Sequence, residues 1–203
     1  MGRNKRIWYE GARYHLMGRG NRRCAIFKDE EDYRFFLLLL GQIQQRYPFE
    51  LHAYCLMTNH FHLEITTIDT PIWKIMQPLM NHYARTFNQK YGYSGHLFDS
   101  RYESKMIENN IYFLEVSRYI HLNPVRAAMV REPQAYKYSS YGLYVTDTAS
   151  LTECKVDTRQ VLDSFSEVKR EQYRLFVEAK ISHSEMEMLI QKDIKEDDSW
   201  LPW

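Results

Sequence analysis

Residues 51–67 read LHAYCLM-TN-HFHLEITT, and this stretch decides the fold. Leu51–Met57 and Phe61–Thr67 are two short runs rich in apolar, aromatic and β-branched residues, broken at Thr58-Asn59. Alternation on either side of an Asn-containing break is the pattern of an antiparallel hairpin. Upstream, residues 29–46 have helical apolar spacing through Leu40 and Ile43, with Asp29 as N-cap, and Pro48 ends the run. Before that, Arg13–Gly20 reads as a strand leading into a loop rich in Gly and Arg. Downstream, Ile72, Ile75, Met76, Leu79, Met80, Tyr83 and Phe87 mark a second helix over 71–90, in which Pro78 predicts a kink or a late start. A loop at Tyr91–Gly95 precedes a fourth strand within Leu97–Ile107. A third helix over 110–122 is expected to stop before Pro124.

The order strand, helix, strand, strand, helix, strand is that of a split βαβ, or ferredoxin-like, α+β sandwich. Its sheet is expected to be antiparallel with helices mainly on one face, leaving an open face of the kind that binds single-stranded nucleic acid. A Tyr-rich stretch (Tyr136, Tyr138, Tyr141, Tyr144) is followed by a polar break near residues 146–155. Short amphipathic helices are expected over 158–195. The organisation read from this is a catalytic domain over 1–150 and an acidic helical extension over 151–203.

The chain has 203 residues, 44% hydrophobic and 26% charged, enough for one globular core without staples. Three dispersed cysteines, Cys24, Cys55 and Cys154, fit neither a disulfide framework nor a zinc knuckle, so a reducing cytoplasm is expected. The N-terminal residues lack the apolar run of a signal peptide, and the longest apolar stretch, Phe35–Leu40, is too short to span a bilayer, so no membrane partner is expected. The net charge of +1 hides a split. Residues 1–150 hold 19 Lys/Arg and 14 Asp/Glu, a net of +5, whereas 151–203 hold 8 and 12, a net of −4. A basic front half suits a polyanion, although charge alone more often marks a merely solvated surface.

Two local patterns carry chemistry. On a strand, His60 and His62 project to one face with Phe61 on the other, about 7 Å apart along the chain and able to converge on one cation. Glu64 continues that face as a further ligand or as a carboxylate orienting a histidine. In Arg118-Tyr-Ile-His-Leu-Asn-Pro124, Tyr119 and Asn123 share a helix face at i and i+4, whereas His121 points away. A phenol is a poor nucleophile near its free pKa of about 10 and becomes a useful one when a metal stabilises the charge developing at a phosphate. The other histidines, His15, His52, His82, His96 and His183, form no metal spacing and read as structural.

Five stretches in order make the chain recognisable: Tyr14-His-Leu-Met-Gly-Arg-Gly-Asn-Arg-Arg23, Tyr54-Cys-Leu-Met-Thr-Asn-His-Phe-His-Leu63, Gly95-His-Leu-Phe-Asp-Ser-Arg-Tyr-Glu-Ser104, Tyr119-Ile-His-Leu-Asn-Pro-Val-Arg126 and Tyr138-Ser-Ser-Tyr141. Over roughly residues 8–145 the chain resembles the HUH single-tyrosine transposases of the smallest insertion sequences, especially the REP-associated tyrosine transposases. The resemblance implies that His60 and His62 hold a divalent ion, Mg²⁺ or Mn²⁺, and that Tyr119 attacks a DNA phosphate to leave a 5′-phosphotyrosine and a free 3′-OH. It places Asn123 as a third polar ligand, a role for which Glu64 competes. It also implies single-stranded DNA hairpins as substrate, with Arg19, Arg22, Arg23, Arg101 and Lys105 as phosphate contacts. Tyr14, Tyr138 and Tyr141 are candidates for base stacking or for core packing. Either a monomer or a homodimer with exchanged helices is compatible with this. Two other functions remain open on the residues: a non-catalytic binding module derived from the family, and a metal-dependent phosphodiesterase that uses water.

Overall fold

The computed structural model describes residues 7–146 and 154–179. The basic residues Arg3, Lys5 and Arg6, His183 and any helix beyond residue 179 lie outside them. Strand β1 (Arg13–Arg19) is followed by α1 (Glu30–Arg46), β2 (Phe49–Leu56), β3 (His60–Thr67), α2 (Ile72–Tyr91), β4 (Glu103–Met106) and α3 (Asn110–Arg126). Three short helices complete the described chain: α4 (Tyr141–Val145), α5 (Arg159–Leu162) and α6 (Lys169–Glu178). The sheet order is β2-β3-β1-β4 with every neighbouring pair antiparallel. This is the expected α+β sandwich: each βαβ unit leaves a gap that a strand of the other fills.

Local signals hold where the physics is local. Asp29 caps α1 in a reciprocal box with Asp32, its side chain accepting from the Asp32 amide at 3.1 Å. Helix α2 starts at Ile72 and continues through Pro78, so the late start does not occur. Pro78 is exposed and stands early in the helix, where its missing N–H frees only one carbonyl on the solvent side. Gly92, at φ 65°, ends that helix in the left-handed conformation that glycine adopts without strain.

Two expectations of extent need correction. The fourth strand is confined to Glu103–Met106, because residues 97–99 serve the loops instead: Leu97 accepts from the Asn21 amide and Phe98 bridges Gly20. The third helix continues past Pro124 to Arg126. Only one intrahelical bond is lost there, and the Ala127 amide closes the turn on the Asn123 carbonyl at 2.9 Å.

The sheet divides two cores. On one face Tyr14, Leu16, Leu51, Tyr54, Leu56, Phe61, Leu63 and Ile65 pack beneath α1 and α2. Gly18 faces Phe61 so closely that a Cβ there would lie 2.5 Å from the ring. On the other face α3 crosses β2 and β3, and Ala53, Cys55 and Met57 meet Phe113, Val116, Ile120, Tyr141, Tyr144, Tyr173 and Val177. A bulge between Leu51 and Ala53 moves β2 from one facing to the other, which is how Leu51 and Tyr54 share a core. The second face is therefore covered by helix over β2 and β3, and its uncovered part lies toward β1 and β4.

Candidate active site

The site lies on that second face, where the hairpin end, β1 and α3 meet. Alternation along β3 aims His60, His62 and Glu64 toward α3, and pairing with β1 sets Arg19 opposite His60, Met17 opposite His62 and His15 opposite Glu64. From the helix side, the Tyr119 ring comes edge-on to His62 with centroids 5.4 Å apart, and to His15 at 5.7 Å. The His60 and His62 rings are nearly perpendicular, with centroids 5.0 Å apart. Asn123 lies one turn after Tyr119, and its side chain hydrogen-bonds His60. Four residues singled out in sequence, from elements about sixty positions apart, thus meet within one chain.

The two histidines are held as neutral rings with oriented nitrogens. His60 Nδ1 donates to Asn59 Oδ1 at 2.7 Å. His62 Nδ1 is paired with His15 Nε2 at 3.0 Å. Burial holds His60 down at about 4, against the hydrogen bond with Asn123, and the Arg19 charge adds to the lowering. Burial, then His60 and His15, hold His62 well below the ordinary imidazole value. His15 is pushed down to about 3 by burial and then by Lys105. An imidazole binds a cation only through an unprotonated nitrogen, so low values leave both rings competent at neutral pH. Exposure grades across the site: His62 is buried, whereas His60, Tyr119 and Asn123 are half-buried and open toward exposed Arg126. The Arg126 guanidinium carbon lies 5.2 Å over the Tyr119 ring.

A divalent ion fits this donor set. Each histidine has its Nδ1 engaged by an outer partner, so a cation would take the Nε2 atoms, with the Asn123 carboxamide turning from its hydrogen bond with His60 to add an oxygen. Two imidazole nitrogens and one amide oxygen are donors that Mn²⁺ or Mg²⁺ would accept. Among the described residues no group of three or more His, Cys, Asp or Glu side chains is arranged to hold a metal. Glu64 does not reach the histidines as a hydrogen-bonding partner. It is fully buried, neither carboxyl oxygen finds a hydrogen bond among the described residues, and burial pushes its pKa well up.

The basic residues fall into two groups. Arg19, paired with Asp99 at 2.8 Å, and exposed Arg22 and Arg23 stand at the His60 end of the sheet, because the Gly20 amide donates to the Asn59 carbonyl. Arg22 and Arg23 have φ of 53° and 58°, a strained left-handed pair in a short 3-10 turn. Lys105 stands on β4 opposite His15, and Arg101 is exposed on the segment leading into β4. The candidate stacking rings go to packing: Tyr14 and Tyr141 are buried, and Tyr138 stacks on Tyr33 with centroids 3.5 Å apart. His121 faces away from Tyr119 and bonds Tyr173 Oη at 2.6 Å and Ser140 Oγ at 2.8 Å.

Sequence reasoning missed His15, Asn59 and Arg126. No spacing rule links His15 to His62, since the contact depends on strand register. Position in a resembling stretch was the one available signal, and it covered all three residues.

The fold is an α+β sandwich whose sheet and third helix bring a single tyrosine beside a histidine pair. The sequence profile of the family described as "Transposase IS200 like" matches residues 9–123. The chain belongs to that family, and its function is transposase-like. Among solved structures, one described as a REP-associated tyrosine transposase bound to a REP hairpin is similar at 18% identity and a TM-score of 0.60, covering 78% of this chain and 93% of that one. At that identity the likeness concerns the fold. A candidate transposase from Deinococcus radiodurans R1 aligns at 18% identity, covering 63% of this chain and 92% of that one, with a TM-score of 0.41, too low to bear on the argument. No curated protein matches the sequence. No helix of the described residues is long and apolar enough to cross a membrane.

Proposed function

We propose that the protein is a metal-dependent enzyme that nicks and rejoins single-stranded DNA at hairpins, with Tyr119 as nucleophile. The observation that supports this reading most is the meeting of Tyr119, His62, His60 and Asn123, three of them half-buried, on one face of the sheet. Tyr119 Oη attacks the phosphorus, giving up its proton to solvent. The bond from phosphorus to the 3′ oxygen breaks, and that oxygen takes a proton to leave a 3′-OH. The product is a 5′-phosphotyrosine, which keeps the phosphodiester energy, so a 3′-OH can reverse the reaction without ATP. When bound by His60, His62 and Asn123, Mg²⁺ or Mn²⁺ supplies stabilisation of the charge developing on the phosphate oxygens. Arg19, Arg22 and Arg23 at the hairpin end, with Lys105 and Arg101 near β4, are proposed to track the DNA backbone.

Catalysis is assigned to residues 1–150, and residues 151–203 to an acidic extension whose described part braces α3. One chain supplies both the tyrosine and the histidines, so a monomer needs no exchanged helix. The structure fixed in the neighbour, a REP hairpin complex, favours hairpin DNA as the substrate class. Such a substrate belongs to bacterial cytoplasm, on the nucleoid.

The test is incubation with a pool of single-stranded hairpins from the DNA flanking the gene, with Mg²⁺ or Mn²⁺. The expected product is a protein–DNA adduct that survives SDS, absent in EDTA and reduced about 10³-fold or more in Tyr119→Phe, with hairpin binding retained. Binding without cleavage under either metal would leave a recognition module only. Cleavage without adduct would transfer the attack to water.

A further inference from the structure

We propose that His15 is a positioning residue for the metal site: its Nε2 accepts a hydrogen bond from His62 Nδ1–H and so fixes His62 in the tautomer that presents a free Nε2. The proposal rests on the reading of His60 and His62 as metal ligands.

The two rings come from neighbouring strands. His15 is opposite Glu64 in the register, which makes it the diagonal neighbour of His62 on the same face. Their rings lie within 29° of parallel at a centroid separation of 5.2 Å, and His15 Nε2 is 3.0 Å from His62 Nδ1. Two neutral imidazoles make such a bond only if one donates and the other accepts. If His15 donated, the His62 proton would move to Nε2 and remove the lone pair that a cation needs. If His62 donates, its Nε2 is free. The companion ligand settles which arrangement makes a working pair. His60 Nδ1 faces Asn59 Oδ1, an acceptor only, so His60 also carries its proton on Nδ1 and offers Nε2. With both protons on the Nδ1 nitrogens, both rings keep an Nε2 lone pair for a cation.

The position has a second consequence. The His15 ring also touches Tyr119 edge-on, centroids 5.7 Å apart at 70°. His15, His62 and Tyr119 thus touch one another pairwise, so a single side chain bears on both the tautomer of His62 and the packing of the phenol.

The test uses the full chain, ¹⁵N-labelled and metal-free, with histidine tautomers read by long-range proton–nitrogen correlation NMR at pH 7.5. The expected wild-type result is His62 protonated on Nδ1 and bare at Nε2. His15→Gln, whose carboxamide oxygen can replace the accepting nitrogen, should keep that state. His15→Leu should convert His62 to a mixture with a substantial Nε2–H population. In the same samples, Mn²⁺ binding followed by electron paramagnetic resonance should weaken about 10–100-fold in His15→Leu and only a few-fold in His15→Gln. If His15→Leu does not fold, His15→Phe serves as the removing variant.

A wild-type His62 protonated on Nε2 overturns the proposal without any variant. So does a His62 tautomer, or a Mn²⁺ affinity, that is the same in His15→Leu as in the wild type. These readouts need neither DNA nor turnover. A wild type that forms no adduct while His62 responds to His15 would end the strand-transfer reading and leave the positioning role standing.

Discussion

At the scale of single residues, the site is built by pairing polar groups across a buried face, and Glu64 is the exception. Its neighbours on β3, His60 and His62, each find a partner for Nδ1, whereas both Glu64 oxygens are buried and unbonded. A buried polar group without a partner costs about 1–3 kcal/mol, and an ionised one more, which is why its pKa is driven up. Glu64→Leu is therefore expected to stabilise the fold by about 1–2 kcal/mol in chemical denaturation. A destabilised variant would mean that the carboxyl has a partner in solution. The His-x-His and Tyr-x-x-x-Asn patterns were legible in the sequence because each depends on a local period, two for the strand and 3.6 for the helix. Their meeting was not legible from spacing. His15, read as structural, became a site residue only when β1 was laid beside β3.

At the scale of elements, capping and periodicity decide where helices begin, and tertiary packing decides how far they run. Asp29 and the spacing after it marked α1 almost to the residue, because a cap is chemistry between neighbours. Both prolines suggested helix bounds that the structure does not keep. Pro124 stands in the last turn of α3, where the residues beyond it still close helical bonds. Pro78 lies inside α2, held there by Ile72, Ile75, Met76, Leu79 and Met80 in the core. The burial of those side chains, roughly 1.5–3 kcal/mol each, outweighs the loss from one interior proline, about 3 kcal/mol. Because Pro78 itself is exposed, Pro78→Ala restores the bond to the Lys74 carbonyl without disturbing packing. We expect a gain of about 1–3 kcal/mol, read as a higher unfolding midpoint. An unchanged midpoint would show that packing has already relieved the penalty. The acidic extension also acts at this scale. Helix α6 docks on α3 through Tyr173 Oη, which meets His121 and Ser117, and through Arg118, which donates to the Ala179 carbonyl at 2.7 Å. The helix bearing Tyr119 is thus braced from behind.

At the scale of the whole molecule, the histidines make stability depend on pH. His15 and His121 are held at about 3 and His52 and His60 at about 4, all chiefly by burial, and His62 lies well below its ordinary value. Each has a folded pKa below its unfolded one near 6.5, so the unfolded chain binds more protons between the two. Their contribution is complete above pH 6.5 and is lost as pH falls from there toward 4. Glu64 and Glu115, raised chiefly by burial, act in the opposite sense, gaining as pH falls below their folded values. Five imidazoles outnumber two carboxyls, so the net slope follows the histidines. Thermal unfolding is expected to drop steadily from pH 7 to pH 5, by on the order of 1 kcal/mol per unit. A flat or rising midpoint across that range would contradict the burial of these rings.

The amino-acid order by itself determined the succession of strands and helices, the cap of α1, the facing of His60 with His62 and of Tyr119 with Asn123, and the family resemblance. These depend on neighbours a few positions apart, whose relations the backbone period dictates. Only the tertiary structure decided the strand register, the crossing of α3 over β2 and β3, and the contact of His15 with His62. Those depend on which distant apolar faces bury one another, and a shift of one residue in that packing would turn the same side chains toward the opposite core.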